Sequence, residues 1–287
     1  MNGPTPQERS AEDASFCASL VRARDFPRYA ATIFVPQDSR RALLALFAFN
    51  IEISRVRDHV SQPLPGEIRL QWWSDLMAGQ DHGDIAGNPV AAELMRAVVA
   101  HSLPRETLNK LIEAHIFDVY DDPMPTQEAL ETYCHETSSA LFSLTGRILG
   151  AEGDACEHAA RCAGLAQGLS DVIALLPLHA ARRQLYLPRD LLGKHGAAEA
   201  DVFAGRMTPA LGDVVKSLHT EAVASVERAV DLLAGLPGNV LPAFLPLALV
   251  RRALGRPWAN VFEPEQPSHF TTLWTLWRAS RSKPFRA

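Results

Sequence analysis

Pro36-Gln37-Asp38-Ser39-Arg40-Arg41-Ala42-Leu43-Leu44-Ala45-Leu46-Phe47-Ala48-Phe49-Asn50-Ile51-Glu52-Ile53-Ser54-Arg55-Val56-Arg57-Asp58 reads as one long helix. Leu43, Leu46, Phe47, Ile51 and Val56 line a single side of it at helical spacing. That spacing recurs through most of the chain, and no sustained period-two run is bounded by hairpin turns, so the expected fold is all-α. Helices are predicted over about 10–22, 36–60, 66–79, 89–101, 105–121, 126–149, 154–176, 208–235, 242–254 and 268–281. The breaks, at Pro63-Leu64-Pro65-Gly66, Asp121-Asp122-Pro123, Gly235-Leu236-Pro237-Gly238 and Pro264–Pro267, are short loops rather than linkers. The expected organisation is an N-terminal helix or extension, 1–24, followed by a single helical domain over 25–287.

The chain has 287 residues, 47% of them hydrophobic, and can bury a large core. A formal charge of -5 provides no global field for phosphate backbones, which argues against a nucleic-acid partner. Cys17, Cys134, Cys156 and Cys162 form no CxxC pair, consistent with a reducing compartment. Met1 to Arg24 carries Glu8, Glu12 and Asp13, unlike a secretory signal or an acidic-poor presequence. No stretch reaches the roughly 18 apolar residues of a membrane span. The chain is expected to be soluble or at most peripheral on a membrane.

The stretch from Pro36 to Asn50, with Arg40 four positions after the proline, resembles the entrance to the first active-site helix of squalene and phytoene synthases. Tyr133-Cys134 resembles that family's Tyr-Cys pair, and Gly164-Leu165-Ala166-Gln167 and Tyr186-Leu187-Pro188 frame the segment of its second acidic motif. The resemblance implies an isoprenoid synthase bundle in which aspartates four apart on two facing helices hold magnesium and, through it, prenyl diphosphates. This chain departs at those places. The first motif's adjacent aspartates fall on Ser54 and Arg55, leaving only Asp58, and the second motif's acidic positions fall on Leu175, Leu178 and His179. Asp171 stands one turn before Leu175 and cannot rebuild the pair alone, and Pro177 should end or kink the helix there.

A narrower resemblance, to the complex I assembly factor 6 branch of the superfamily, is carried by Phe49-Asn50-Ile51-Glu52, Val56-Arg57-Asp58, Arg69-Leu70-Gln71-Trp72-Trp73, Ala166-Gln167-Gly168, Pro177-Leu178-His179, Arg182-Arg183 and His195-Gly196. It implies a role in assembling respiratory complex I, with complex I subunits or other assembly factors as partners; the missing aspartates make the expected protein non-catalytic, and the lack of a presequence with an Ala/Arg/Leu-rich composition suggests a bacterial version in the cytoplasm, in peripheral contact with the inner membrane. No cofactor is expected. Magnesium enters only if the chain is instead a prenyl diphosphate transferase with an altered metal site. A third possibility, from another class, is a carrier with a prenyl or lipid ligand in the retained cavity.

The candidate cavity or ligand contacts are therefore Arg40, Glu52, Arg55, Asp58, Tyr133, Gln167, Asp171, His179, Arg182, Arg183 and Tyr186. Arg182 and Arg183 suit an anionic head group, or else lie in a solvated loop. Arg55, Arg57 and Asp58 form a salt-bridged plug, or else face solvent. Asn50 and Glu52 lie about 200° apart on a helix, so at most one points inward. Trp72 and Trp73 read as packing residues. The tail from Phe270 to Arg286 mixes Phe270, Trp274, Trp277 and Phe285 with Arg278, Arg281, Lys283 and Arg286. Its preferred reading is a last helix packed on the bundle with Trp274 and Trp277 in a core stripe; the other reading is a bilayer or partner contact.

Overall fold

A computed structural model describes residues 5–80, 87–151, 153–256, 261–262 and 267–282. It is all-α, as the periodicity predicts. α1 (Pro6–Arg24) starts before the expected Ser10 because Thr5 and Glu8 form a reciprocal capping box. Asp25 ends α1 and immediately caps α2 (Phe26–Ala31), accepting from the Arg28 N–H. α3 (Gln37–Ser54) stops short of the predicted Val60. There the Asp58 N–H bonds the Arg55 carbonyl and the Arg55 guanidinium bonds the Asp58 carboxylate, tightening the chain into a 3-10 turn over Val56–His59.

α4 (Pro63–Ala78) begins on a proline, tolerated where no N–H is needed, and ends at Gly79 with φ +76°. α5 (Pro89–Ala100) is capped by Asn88. The single helix expected over 105–121 is two, α6 (Arg105–Ala114) and α7 (Ile116–Val119), broken at His115. α8 (Gln127–Cys134) and α9 (Ala140–Ile148) are continuous but widen into a π turn at His135–Ser139. α10 (Asp154–Ala174) gives way to α11 (Leu176–Ala181) beside Pro177. α12 (Arg189–His195), α13 (Glu199–Phe203), α14 (Pro209–Leu233), α15 (Pro246–Leu254) and α16 (His269–Ser280) follow.

α10 is the central strut. It packs most extensively on α14 and also meets α8, α9, α15 and the π turn. Gly164 lets the turn approach: a Cβ there would sit 2.2 Å from the Ser139 backbone. On the other side α1, α3 and α5 pack together around Cys17, Val21 and the apolar side of α3. Their buried acid, Glu93, accepts from Arg41 at 2.6 and 2.7 Å and pairs with Arg96, which reaches Asp13. A charge this buried persists only with such partners. Trp73 is buried edge-on to Phe49 at 5.0 Å and Trp72 packs against it, the packing role expected of both. No helix among the described residues is long and apolar enough to cross a membrane.

Candidate functional site

A cavity of about 300 Å³ opens where α2, α3, α10 and α11 meet the α7–α8 region. Asn50 and Ser54 come from α3, Tyr133 and Thr137 from α8 and the π turn, Asp171 and Val172 from α10, and His179 from α11. Its floor is organised by Asp118. The break at His115 turns α7 inward, so this carboxylate accepts from Tyr133 at 2.8 Å, from Tyr186 at 2.5 Å and from His115 Nδ1 at 2.6 Å. Gln184 donates to the Asp118 carbonyl at 2.9 Å. Burial, and after it the Asp118 charge, push both phenols well above their ordinary range, so they remain donors.

Tyr186 reaches the floor because of how α11 ends. Arg183 takes φ +57°, the left-handed conformation that closes a helix, and the Gln184 N–H bonds back to the His179 carbonyl at 2.9 Å. The chain then returns under α11, with the His179 ring 4.3 Å from that of Tyr186. Two buried imidazole nitrogens on the cavity wall, His115 Nε2 and His179 Nδ1, have no hydrogen-bonding partner among the described residues.

The rim carries arginines. Arg182 bonds Asp58 at 2.8 Å and Arg55 bonds the other Asp58 oxygen at 3.0 Å, so both oxygens of that carboxylate are taken by guanidiniums. Arg57 pairs with Asp121 at 2.7 Å, and Arg28 with Asp25 at 2.6 Å while also facing Asp171. Beside them Leu175 and Leu178 are exposed at the mouth, each 42% accessible. Magnesium takes hard oxygen ligands from free carboxylates. A carboxylate clamped between two cations, with leucines where the second motif's acids would stand, does not fit it.

Of the sequence-predicted contacts, Tyr133, Asp171, His179, Arg182 and Tyr186 line the cavity. Arg55 and Asp58 meet at its rim in the clamp, where Arg182 rather than Arg57, which pairs with Asp121, is the second cation. Gln167 supports Asp171, donating at 2.8 Å. Three expectations are corrected. Arg40 is turned to the carbonyls of Thr32 and Ile33 and holds the turn before α3. Glu52 is exposed, while Asn50, about 200° around the helix, is the one that faces in. Arg183 stands over the Phe203 ring, 5.3 Å from its centre, leaving Arg182 alone as the anion-facing member of the pair.

The residues that sequence reasoning missed are Arg28, His115, Asp118 and Gln184. A signal existed: Leu108, Leu111, Ile112, His115 and Asp118 continue one helical stripe, and polar residues on a core stripe are unusual.

Two titrations here have opposite signs. Burial raises Asp171 to about 6, only partly offset by Arg28 and Gln167, with Asp25 reinforcing the rise. The folded state then holds more protons than the unfolded between its ordinary 3.8 and about 6, so this group's contribution falls as pH rises through that window. Burial lowers His179 to about 4, with Arg182 reinforcing and Asp118 opposing. The unfolded state then holds more protons between about 4 and 6.5, and the contribution rises with pH. The two offset one another in wild type. Relative to it, Asp171→Asn should melt with a steeper rise between pH 4 and 6, and His179→Gln with a fall, in thermal unfolding across that range. Equal slopes in both variants would contradict the assignment.

Comparisons with known proteins agree with this geometry. Among sequence relatives, NADH dehydrogenase (ubiquinone) complex I, assembly factor 6 of Mus musculus is 31% identical over 85% of this chain and 76% of its own length. Presqualene diphosphate synthase of Rhodopseudomonas palustris is 28% identical over 75% of this chain and 77% of its own. Among solved structures, squalene synthase HpnC from Alicyclobacillus acidocaldarius matches with a TM-score of 0.75 at 21% identity, covering 87% of this chain and 94% of that one. A dehydrosqualene synthase matches with a TM-score of 0.79 at 16% identity, over 96% and 97%. The squalene/phytoene synthase family profile spans residues 21–264, and with the helical bundle and its cavity this shows that the chain belongs to the squalene/phytoene synthase family.

Proposed function

We propose that this protein is a non-catalytic member of its family that acts in the assembly of respiratory complex I, on the cytoplasmic side and in peripheral contact with the inner membrane. Complex I subunits or other assembly factors are its partners, and it needs no metal. The observation that carries the reading is the Arg55–Asp58–Arg182 clamp. Ionising an allylic diphosphate by the family chemistry requires a cation held by free carboxylates, and the one surviving motif aspartate is spent on two arginines. The 31% identity to assembly factor 6, over most of both chains, supports the role in assembly.

The test is complex I activity in a deletion strain, with rescue by wild type and by Asp58→Ala. Lost activity that the variant restores as well as wild type does is the expected result. Intact complex I together with a missing isoprenoid product would overturn it and favour a prenyl diphosphate transferase using magnesium.

A second reading, compatible with the first, is favoured by the two unpartnered imidazole nitrogens. Buried polar atoms are rarely left unpaired. A cavity walled by Leu141, Val172, Leu175 and Leu178 suits a prenyl or lipid chain whose polar end reaches His115 and His179. Extraction of the protein purified from its native cells, followed by mass spectrometry, decides it: a stoichiometric lipid supports a carrier, and an empty extract removes it.

A further inference from the structure

α16 folds with its aromatic side outward. At about 100° per residue, Phe270, Trp274, Trp277, Arg278 and the adjoining Arg281 fall within one arc of about 100°, and Thr272, Leu276 and Ala279 on the opposite side are the buried ones. Phe270 is 75% exposed, Trp274 51% and Trp277 41%. The core stripe expected of Trp274 and Trp277 is thus corrected: small and aliphatic residues make the contact with α15 and α2, and both indoles point away. The reason is local. His269 stacks on Phe26 at 3.8 Å and sets the rotation of the helix, while the two indoles stack on each other at 5.0 Å with the Arg281 guanidinium 5.0 Å above Trp277.

This arrangement inverts that of a helix shaped by water alone, whose large apolar side chains face the bundle. Half-exposed aromatics of 150–250 Å² each leave roughly 300 Å² of patch on a rod about 18 Å long. A stable protein interface buries about 800 Å² on each partner, so the patch is too small to hold one by itself. It is large enough for an interfacial helix, in which indoles and guanidiniums sit at head-group depth and charge supplies the remaining attraction. The charge is one-sided. From Gln266 onward the sequence contains Arg278, Arg281, Lys283 and Arg286 and no aspartate or glutamate; Lys283, Phe285 and Arg286 lie outside the described residues.

We propose that α16 is a membrane-interface anchor that seats Phe270, Trp274 and Trp277 among the head groups of an anionic bilayer. The assembly reading supplies only which membrane this is; the lipid contact rests on α16. The purified full chain is sedimented with vesicles of phosphatidylcholine alone and of phosphatidylcholine mixed with phosphatidylglycerol. Wild type should partition onto the anionic vesicles and be released by salt. Trp274→Ser/Trp277→Ser should lose about tenfold or more in partitioning, and Arg278→Glu/Arg281→Glu should lose the preference for anionic lipid. Neither pair lies in the core, so unchanged melting curves establish that the variants are folded.

Wild type remaining in the supernatant with both vesicles overturns the anchor, as does a tryptophan double variant that binds like wild type. A wild-type dimer that the same variant abolishes, with no vesicle binding, overturns it in favour of a second copy on the patch. Complex I activity in the deletion strain is read separately: full rescue without vesicle binding sinks the anchor alone, and vesicle binding with complex I unaffected by the deletion sinks the assembly reading alone.

Discussion

Gly164→Val is expected to abolish folding or to lower stability by more than about 3 kcal/mol, the upper range for overpacked cores. The clash is with main chain. A Cβ at Gly164 would lie 2.2 Å from the Ser139 N and Cα atoms and 2.3 Å from its Oγ, and no rotamer change clears backbone. One turn later a Cβ at Gly168 would meet the Cys134 side chain, 2.5 Å from its sulfur. Gly164 seats the π turn and Gly168 the end of α8 on the same helix. Gly212 in α14 is the control: a Cβ there meets nothing within 4 Å, and Gly212→Ala should stabilise by about 0.5–1 kcal/mol through the unfolded chain and helix propensity. Urea unfolding of both variants is the measurement. A Gly164→Val protein that unfolds like wild type would show that the turn is not seated on this glycine.

Asp118→Ala should cost roughly 4 kcal/mol, since three donors lose one acceptor and each orphaned donor costs about 1–3 kcal/mol. Tyr133, Tyr186 and His115 all end on this carboxylate, whose side chain is 11% exposed, so water cannot freely replace it. Tyr133→Phe and Tyr186→Phe remove one donor apiece and should each cost about 1 kcal/mol. Their effects should not add in the double variant, because both phenols share the Asp118 Oδ1 atom. Thermal and urea unfolding of the set provides the cycle. An Asp118→Ala variant as stable as wild type would mean that the floor of the cavity is not assembled around this acid.

Much of this was legible in the sequence, because helical spacing is a local property. α5, α10, α14 and α16 fall close to their expected positions, and the departures at Ser54, Arg55, Leu175 and Leu178 could be read from motif spacing. What escaped depends on contacts between distant segments. The stripe from Leu108 to Asp118 places that carboxylate on a buried side, but Tyr186 lies far away in sequence, and nothing local names it as the partner. Arg28 is placed by a two-step cap in which Asp25 ends one helix and starts the next, which reads locally as a single break. The rotation of α16 is set by Phe26, on the opposite end of the chain. Periodicity identifies that a helix has a face; it does not say which neighbour will claim it.

The arginine clamp also bears on which single substitutions could change this site. An aspartate returned to position 178 would stand one turn before Arg182 and pair with it, and one returned to position 54 would meet Asp58 already held by two guanidiniums. Neither single substitution produces a pair of free carboxylates. Two free carboxylates facing one another would require removing cations and adding acids together. The clamp thus makes these positions interdependent: an acid added at 54 or 178 changes the charge balance of the rim without freeing either oxygen of Asp58.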